Sequence, residues 1–400
     1  MFKYTESKLA KDLGRVAKSI DPTLEYSYLP DTCEVKLASK VNENQNPHTI
    51  FLGNIYLKIS TLPRKERIPA IEAFLRDVLT SEELSPDEFM GSLALRVRTD
   101  FEVDYRNRHI ELMGHDVKPT ITLQRGELLI EVVSDRNESV SVLPLEDLAK
   151  IGASEKEAIG IASARIRRAT DEAQWEKLDE SIWMSSYQDD YDFARLIAAE
   201  EFGRYPFEGP PIVFAPSHSV CLATDCTNSG VLSIMTELGY EAAANHRPFC
   251  ELLWTLDKNG EWKQWQPGQE GNAKSVADLQ VIRETAKRYE ETKDYLERSL
   301  GEDVFVATYQ AMQNDDGLTC YSVYTLDLPS YLPQTEFVAI VDSELPEDET
   351  VLGRVDWREF IECIGSGVKK VEDMKPLWYR ITQPLDEIQK DRLRQLVQPI

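Results

Sequence analysis

The hydrophobic period of this chain switches between 3.6 and 2 along its length, and that switching restricts it to folds in which helices cover sheets. Residues 8–20 set Leu9, Leu13, Val16 and Ile20 on one helical stripe, and residues 64–80 do the same with Ile68, Ile71, Leu75 and Val78. Between them, residues 34–38 and 49–59 alternate as strands do, on either side of a polar loop at 42–47. Helix, strands and helix make a small N-terminal α/β unit over residues 1–90.

From Leu93 the period becomes two: Leu93, Leu95 and Val97 alternate with polar residues, and Arg125–Gly126 forms a turn between two apolar runs, which predicts an antiparallel sheet. Pro144 opens a helical region in which Ser154 is a helix N-cap with Glu157 three places on, the pattern of a capping box. Residues 178–222 then carry a strand-like run (LDESIWMSSYQ), an acidic aromatic helix start (DDYDFARLI) and a strand pair (PIVFAPSHSVCLA). A helix at 230–238 and a strand at 252–256, turning at 257–260 toward Trp262 and Trp265, complete a central domain over residues 91–265.

The polar run 266–274 has the composition of a linker and marks the boundary of a C-terminal domain, residues 275–400. That domain reads as a long helix at 275–300, strands at 303–312, 318–326 and 336–341, a turn at 314–317, and a last helix with Pro384 at its first position. The fold class is therefore α+β. Residues 178–188 align without gaps on LGEDVFVATYQ at 300–310, with Leu, Glu, Tyr and Gln kept and most other positions exchanged within type. This match reads as a diverged internal repeat, with the C-terminal domain a copy of the module at 154–260 that lacks the DDYDFARLI helix.

With 400 residues and 42% hydrophobic content the chain can bury more than one core. Its 70 acidic and 45 basic side chains leave a net charge of -25, a field that repels phosphate backbones and anionic lipid in the absence of a basic patch. Arg165, Arg167 and Arg168 form no such patch and read as the solvated face of a helix. The first residues have no signal-like apolar core and no run reaches membrane-spanning length, so the expectation is a cytoplasmic protein without nucleic-acid or membrane partners. Six cysteines lie scattered without a CxxC pair and read as reduced and mostly buried.

The candidate site residues are Asp189, Tyr191, Asp192, Arg195 and His218. Asp189 and Asp192 are three apart, as are Asp192 and Arg195, which places them on adjoining helical positions where carboxylates cap a helix N-terminus or face a polar ligand. His218, Cys221, Cys226, His246 and Cys250 are the residue types zinc takes, yet their spacings match no finger or ribbon, and strand alternation separates His218 from Cys221. Neither a metal nor another cofactor is expected. Ser217 and Ser219 flank His218 in a strand without a nucleophile elbow, and GSGVKK at 365–370 reads as a helix C-cap and turn rather than a phosphate cradle. No catalytic residue is assigned. The tryptophans fall mostly in apolar periodic runs and read as core.

SKLAKDLGRV, IFLGNIYLKI, YDFARLI and FAPSHSVCLATD together resemble the YtpQ-like family of bacterial proteins, a domain of unknown function, over about residues 5–265. The resemblance implies a cytosolic bacterial protein and brings no reaction, cofactor or catalytic residue. The family's DGYDASRLL-type segment corresponds to residues 190–196, whereas its proline followed by a charged pair is represented by Pro216 with Ser217, His218 and Ser219, mostly without the charges. The expected function is a non-enzymatic binding or regulatory module, with a protein or small-molecule partner, built around Asp192, Arg195 and His218. Two rivals stand beside it: a hydrolase using Asp189, Asp192 and His218, with or without a metal, and an acidic scaffold for protein–protein contact.

Overall fold

The computed structural model describes residues 4–30, 34–40, 48–79, 85–112, 114–136, 140–171, 175–185, 187, 191–197, 207, 209–244, 246, 248–267, 273–300, 304–314, 317–346 and 349–399. The helix Glu6–Ile20, capped by Thr5, lays Leu9, Leu13 and Val16 on an antiparallel sheet of Leu24–Leu29, Glu34–Ser39 and His48–Phe51. One reading fails here. Residues 49–59, expected as a strand, leave the sheet at Phe51 and form the helix Leu52–Thr61, which buries Leu52, Ile55 and Ile59 at helical spacing. A short apolar run fits both periods, and the three- and four-residue steps between its buried positions decide for the helix. The helix Arg64–Leu79 closes this core with Ile71 and Leu75.

The antiparallel sheet expected after Leu93 is present. Leu93–Arg98 pairs with Leu128–Asp135, which pairs in turn with Thr122–Arg125 and Val140–Val142. The helix Glu155–Asp171 starts at the capping box, the Glu157 amide donating to Ser154 Oγ at 3.3 Å and the Ser154 amide to Glu157 Oε2 at 2.9 Å. Arg165 on this helix is not merely solvated: it donates to the carbonyl of Ser92 and to Asp135. The helix Asp100–Leu112 was not foreseen, because it buries only Phe101 and shows no apolar stripe.

A six-stranded antiparallel sheet forms the middle of the molecule, in the order Trp262–Gln264, Leu253–Leu256, Ile212–Ser217, Val220–Thr224, Ile182–Ser185, Trp175–Asp179. Both faces are covered. Val213, Ala215, Cys221, Ala223 and Trp254 pack on the Leu93–Arg98 sheet and the helix Glu155–Asp171, and Ile212, Phe214, Leu222 and Leu253 pack on the helix Ser229–Ala243. That helix comes closest at Gly239, where a Cβ would stand 2.7 Å from the Phe214 ring. The expected strand at 178–188 is in fact a hairpin, and His218 sits at the turn joining Ile212–Ser217 to Val220–Thr224 rather than within a strand.

The helix Ala273–Leu300 serves two cores, with Val276 and Ala277 in the central one and Tyr289 and Leu296 in the C-terminal one. It also buries Gln280 and Glu284, polar positions that its apolar stripe does not reveal. Beyond it lie two four-stranded sheets, each containing a parallel pair: Phe305–Val306 with Ser330–Pro333, and Gly317–Thr325 with Phe337–Val341. The last helix, Glu387–Leu396, is capped by Asp386 in a box with Gln389, so Pro384 precedes it instead of opening it. The aligned stretches 178–188 and 300–310 both place a strand at their centre, Ile182–Ser185 and Phe305–Val306, and differ in what surrounds it. Leu178 lies in a strand of the antiparallel sheet, whereas Leu300 ends a helix and the next strand pairs in parallel. The chain is mixed α+β.

Candidate functional site

Of the residues singled out in the sequence, Tyr191, Asp192, Arg195 and His218 are brought together, and Asp189 lies outside the described residues. The expected helix over DDYDFARLI appears, in its described part, as one 3-10 turn, Phe193–Ile197. This turn is tied to the strand hairpin by the Phe193 amide, which donates to the His218 carbonyl at 3.3 Å. Asp192 does not sit at an open helix end. It is 0% exposed and accepts a hydrogen bond from Ser185 Oγ. Arg195 is 1% exposed, its guanidinium 3.4 Å from the centroid of the Tyr187 ring. Burial, and after it the neighbouring Asp135 carboxylate, pushes the Tyr191 phenol up.

His218 is 6% exposed, with its ring centroid 4.4 Å from that of Phe249 and Nε2 3.4 Å from Nη1 of Arg98. A guanidinium has only donors, so Nε2 accepts and the ring proton of a neutral His218 sits on Nδ1. Arg98 is shared with Glu131, which is 0% exposed and also takes Arg106 Nη1 at 2.7 Å, while Glu102 stands 3.6 Å from Arg98 on the other side. A carboxylate removed from water needs such compensation, and two guanidiniums supply it. These groups form a polar seam in which the buried Glu131 and His218 meet half-buried guanidiniums.

The open concavity lies elsewhere, at one end of the six-stranded sheet. A groove of about 610 Å³ is lined by Glu127, Asp225, Thr227, Thr255, Lys263 and Trp265, among others. Three of its residues form a cross-strand row: Lys263 pairs with Thr255 and Thr255 with Ile212, so these side chains share one face. Trp265, two residues beyond Lys263, lies toward the same face. Thr255 is 6% exposed and Trp265 8%, and among the described residues neither the Thr255 hydroxyl nor the Trp265 indole N–H makes a hydrogen bond.

One wall of the groove comes from the other sheet. The turn at Gly126 and Glu127 covers the edge strand Trp262–Gln264: the Glu127 amide donates to the Trp262 carbonyl at 2.7 Å, and Glu127 Oε2 accepts from the Gln264 amide at 2.8 Å. Gly126 has φ +64°, and a Cβ there would fall 1.9 Å from the Trp262 oxygen, so the wall needs glycine for both conformation and space.

Among the described residues no group of three or more His, Cys, Asp or Glu side chains is gathered as a metal site. Cys221, Cys250, Cys320 and Cys363 are buried free thiols and Cys226 is half-buried, while burial, then the charge of Glu284, pushes the Cys250 thiol up. Among the described residues no helix is long and apolar enough to cross a membrane. No family model matches this chain, and no curated protein or solved structure matches it either.

Of the groove residues the sequence names only Trp265, and reads it as core. The one local sign is Thr255, a hydroxyl inside the apolar run LLWTL. Lys263, Asp225 and Glu127 are ordinary charged positions until strand pairing brings them to one end of the sheet.

Proposed function

We propose that this chain is a cytosolic, non-enzymatic binding or regulatory protein that takes its ligand at the groove bounded by Glu127, Asp225 and Lys263. The proposal keeps the class of function expected from the sequence, together with its YtpQ-like kinship, and moves the contact surface away from Asp192, Arg195 and His218. One contrast carries the reading. The charged candidates of the seam are buried against their own protein, whereas Lys263 and Thr255 line an open groove. Buried polar groups keep their place when a partner satisfies them, and a ligand is the partner that an open groove admits.

A thermal-shift screen of polar metabolites on the full chain tests this. A ligand at a hundredfold excess over its Kd stabilises by about 2.7 kcal/mol, enough to read as a raised Tm. The expected result is a compound that shifts the wild type and leaves Lys263→Met unmoved. Compounds whose shifts persist in both Lys263→Met and Asp225→Asn would remove the groove as the site.

A further inference from the structure

We infer that a second copy of this chain docks on the open edge of one C-terminal sheet, pairing its strand Gln310–Asn314 antiparallel with the same strand here. That sheet runs in the order Gln310–Asn314, Gly317–Thr325, Phe337–Val341, Val351–Asp356, so its first and last strands are edges. The last is covered from within the chain: the Arg354 amide donates to the Gln398 carbonyl and the Gln398 amide to the Arg354 carbonyl, each at 2.8 Å. The first has no such cover. Gln310, Ala311 and Gln313 are exposed, Met312 is half-buried, and among the described residues no strand pairs with the outer side.

The phase of the ladder fixes which backbone groups this edge offers. In an antiparallel pair successive residues turn N–H and C=O alternately toward the neighbour and away from it. The Cys320 carbonyl accepts from the Glu336 amide at 3.0 Å, and the Leu326 amide donates to the Val341 carbonyl at 2.8 Å. The even-numbered residues of the second strand therefore face Phe337–Val341. Among them Cys320 and Leu318 stand opposite Ala311 and Gln313. Ala311 and Gln313 thus make no backbone bond to that neighbour and turn N–H and C=O outward, as a template for another strand.

Two observations select a copy of the same chain as the occupant. The strand reads Gln-Ala-Met-Gln-Asn without a charge, whereas the edge Trp175–Asp179 carries Glu176, Lys177 and Asp179, and the edge Val368–Lys370 carries two lysines. Molecules of net charge -25 repel one another, and an uncharged edge is where two such backbones can approach. The edge is also self-complementary. Antiparallel pairing centred on Met312 uses the whole strand, sets Ala311 opposite the partner's Gln313 and Gln313 opposite the partner's Ala311, and forms about four backbone hydrogen bonds. Met312 then meets the partner's Met312 on the two-fold axis. Five residues a side make a small interface, so the dimer is weak, with a Kd on the order of tens of micromolar.

Sedimentation velocity of the full chain from about 1 to 500 µM tests this dimer. The expected result is a mass that rises from monomer toward twice that value. Ala311→Pro removes an outward amide and keeps the bonds to Gly317–Thr325, and it should weaken association about tenfold or more. Met312→Lys and Met312→Glu each set like charges opposite one another and should remain monomeric throughout. An equal mixture of the two should associate, because opposite charges then meet. That rescue requires Met312 to face its own copy, and no role of Met312 within one chain produces it. Circular-dichroism melts confirm folding; if Ala311→Pro misfolds, the Met312 pair decides alone. A wild type that stays monomeric, association unchanged in a folded Ala311→Pro, or a mixture no more associated than its components overturns the proposal.

Discussion

The seam and the groove use similar side chains in opposite ways. In the seam, Glu131 and His218 are buried, Arg98 and Arg106 are half-buried, and these groups pair with one another between the two sheets. In the groove, Lys263, Asp225 and Thr255 border a concavity at the end of one sheet. Charge in the interior is thus a means of assembly, and charge beside a concavity is, in the proposed reading, a means of recognition. A charged motif read from sequence does not distinguish the two, since the distinction lies in what surrounds it.

That contrast can be broken most forcefully in the seam. Glu131→Ala leaves Arg98 and Arg106 without their shared carboxylate and should cost about 3–5 kcal/mol in equilibrium urea unfolding. A loss below about 1 kcal/mol would mean that the seam is effectively wet and no different in kind from the groove. Gly126→Ala comes next, because it strains the turn that joins the regions. A side chain at φ +64° that also meets the Trp262 oxygen should cost about 1–3 kcal/mol. The same variant should lose groove ligands as the wall shifts, and unaltered binding would show that the wall plays no part.

Acid should affect the seam's supporting helix more than the groove. His109, one turn beyond Arg106, is held below the usual histidine range chiefly by burial and then by Arg298, with Asp294 opposing. The unfolded chain therefore takes up a proton first as pH falls through about 6.5, and the folded state loses stability below that value. Urea midpoints measured from pH 7 downward should fall, and His109→Gln should flatten the slope; parallel slopes for the two proteins would refute the assignment. The smallest stability change is expected at Thr255→Val, within about 0.5 kcal/mol, because the hydroxyl has no partner to lose among the described residues. Ligand binding should nonetheless weaken about tenfold in that variant, and this separation of stability from binding is the sharpest form of the comparison.

Much of the architecture was legible wherever the signal was local. The Leu9, Leu13 and Val16 stripe, the Ser154–Glu157 box and the Gly126 turn all appear where the residues predict them. The reading failed where two periods fit one run, as at Leu52–Thr61, and where burial is not apolar, as at Asp100–Leu112 and at Gln280 and Glu284. For the site, the sequence marked the neighbourhood of Asp192, Arg195 and His218, and gave no sign that the fold buries all three.

The sequence by itself determined the α+β class, the helix caps, the hairpin turns and an acidic surface, because those depend on residues within about four positions of one another or on composition alone. The tertiary structure decided the rest. Arg98 meets Glu131 across 33 positions and His218 across 120, and Gln264 meets Glu127 across 137. Whether each of these charges is enclosed or open depends on how two sheets pack and where their strands end, which is a property of the whole fold and not of any stretch of chain.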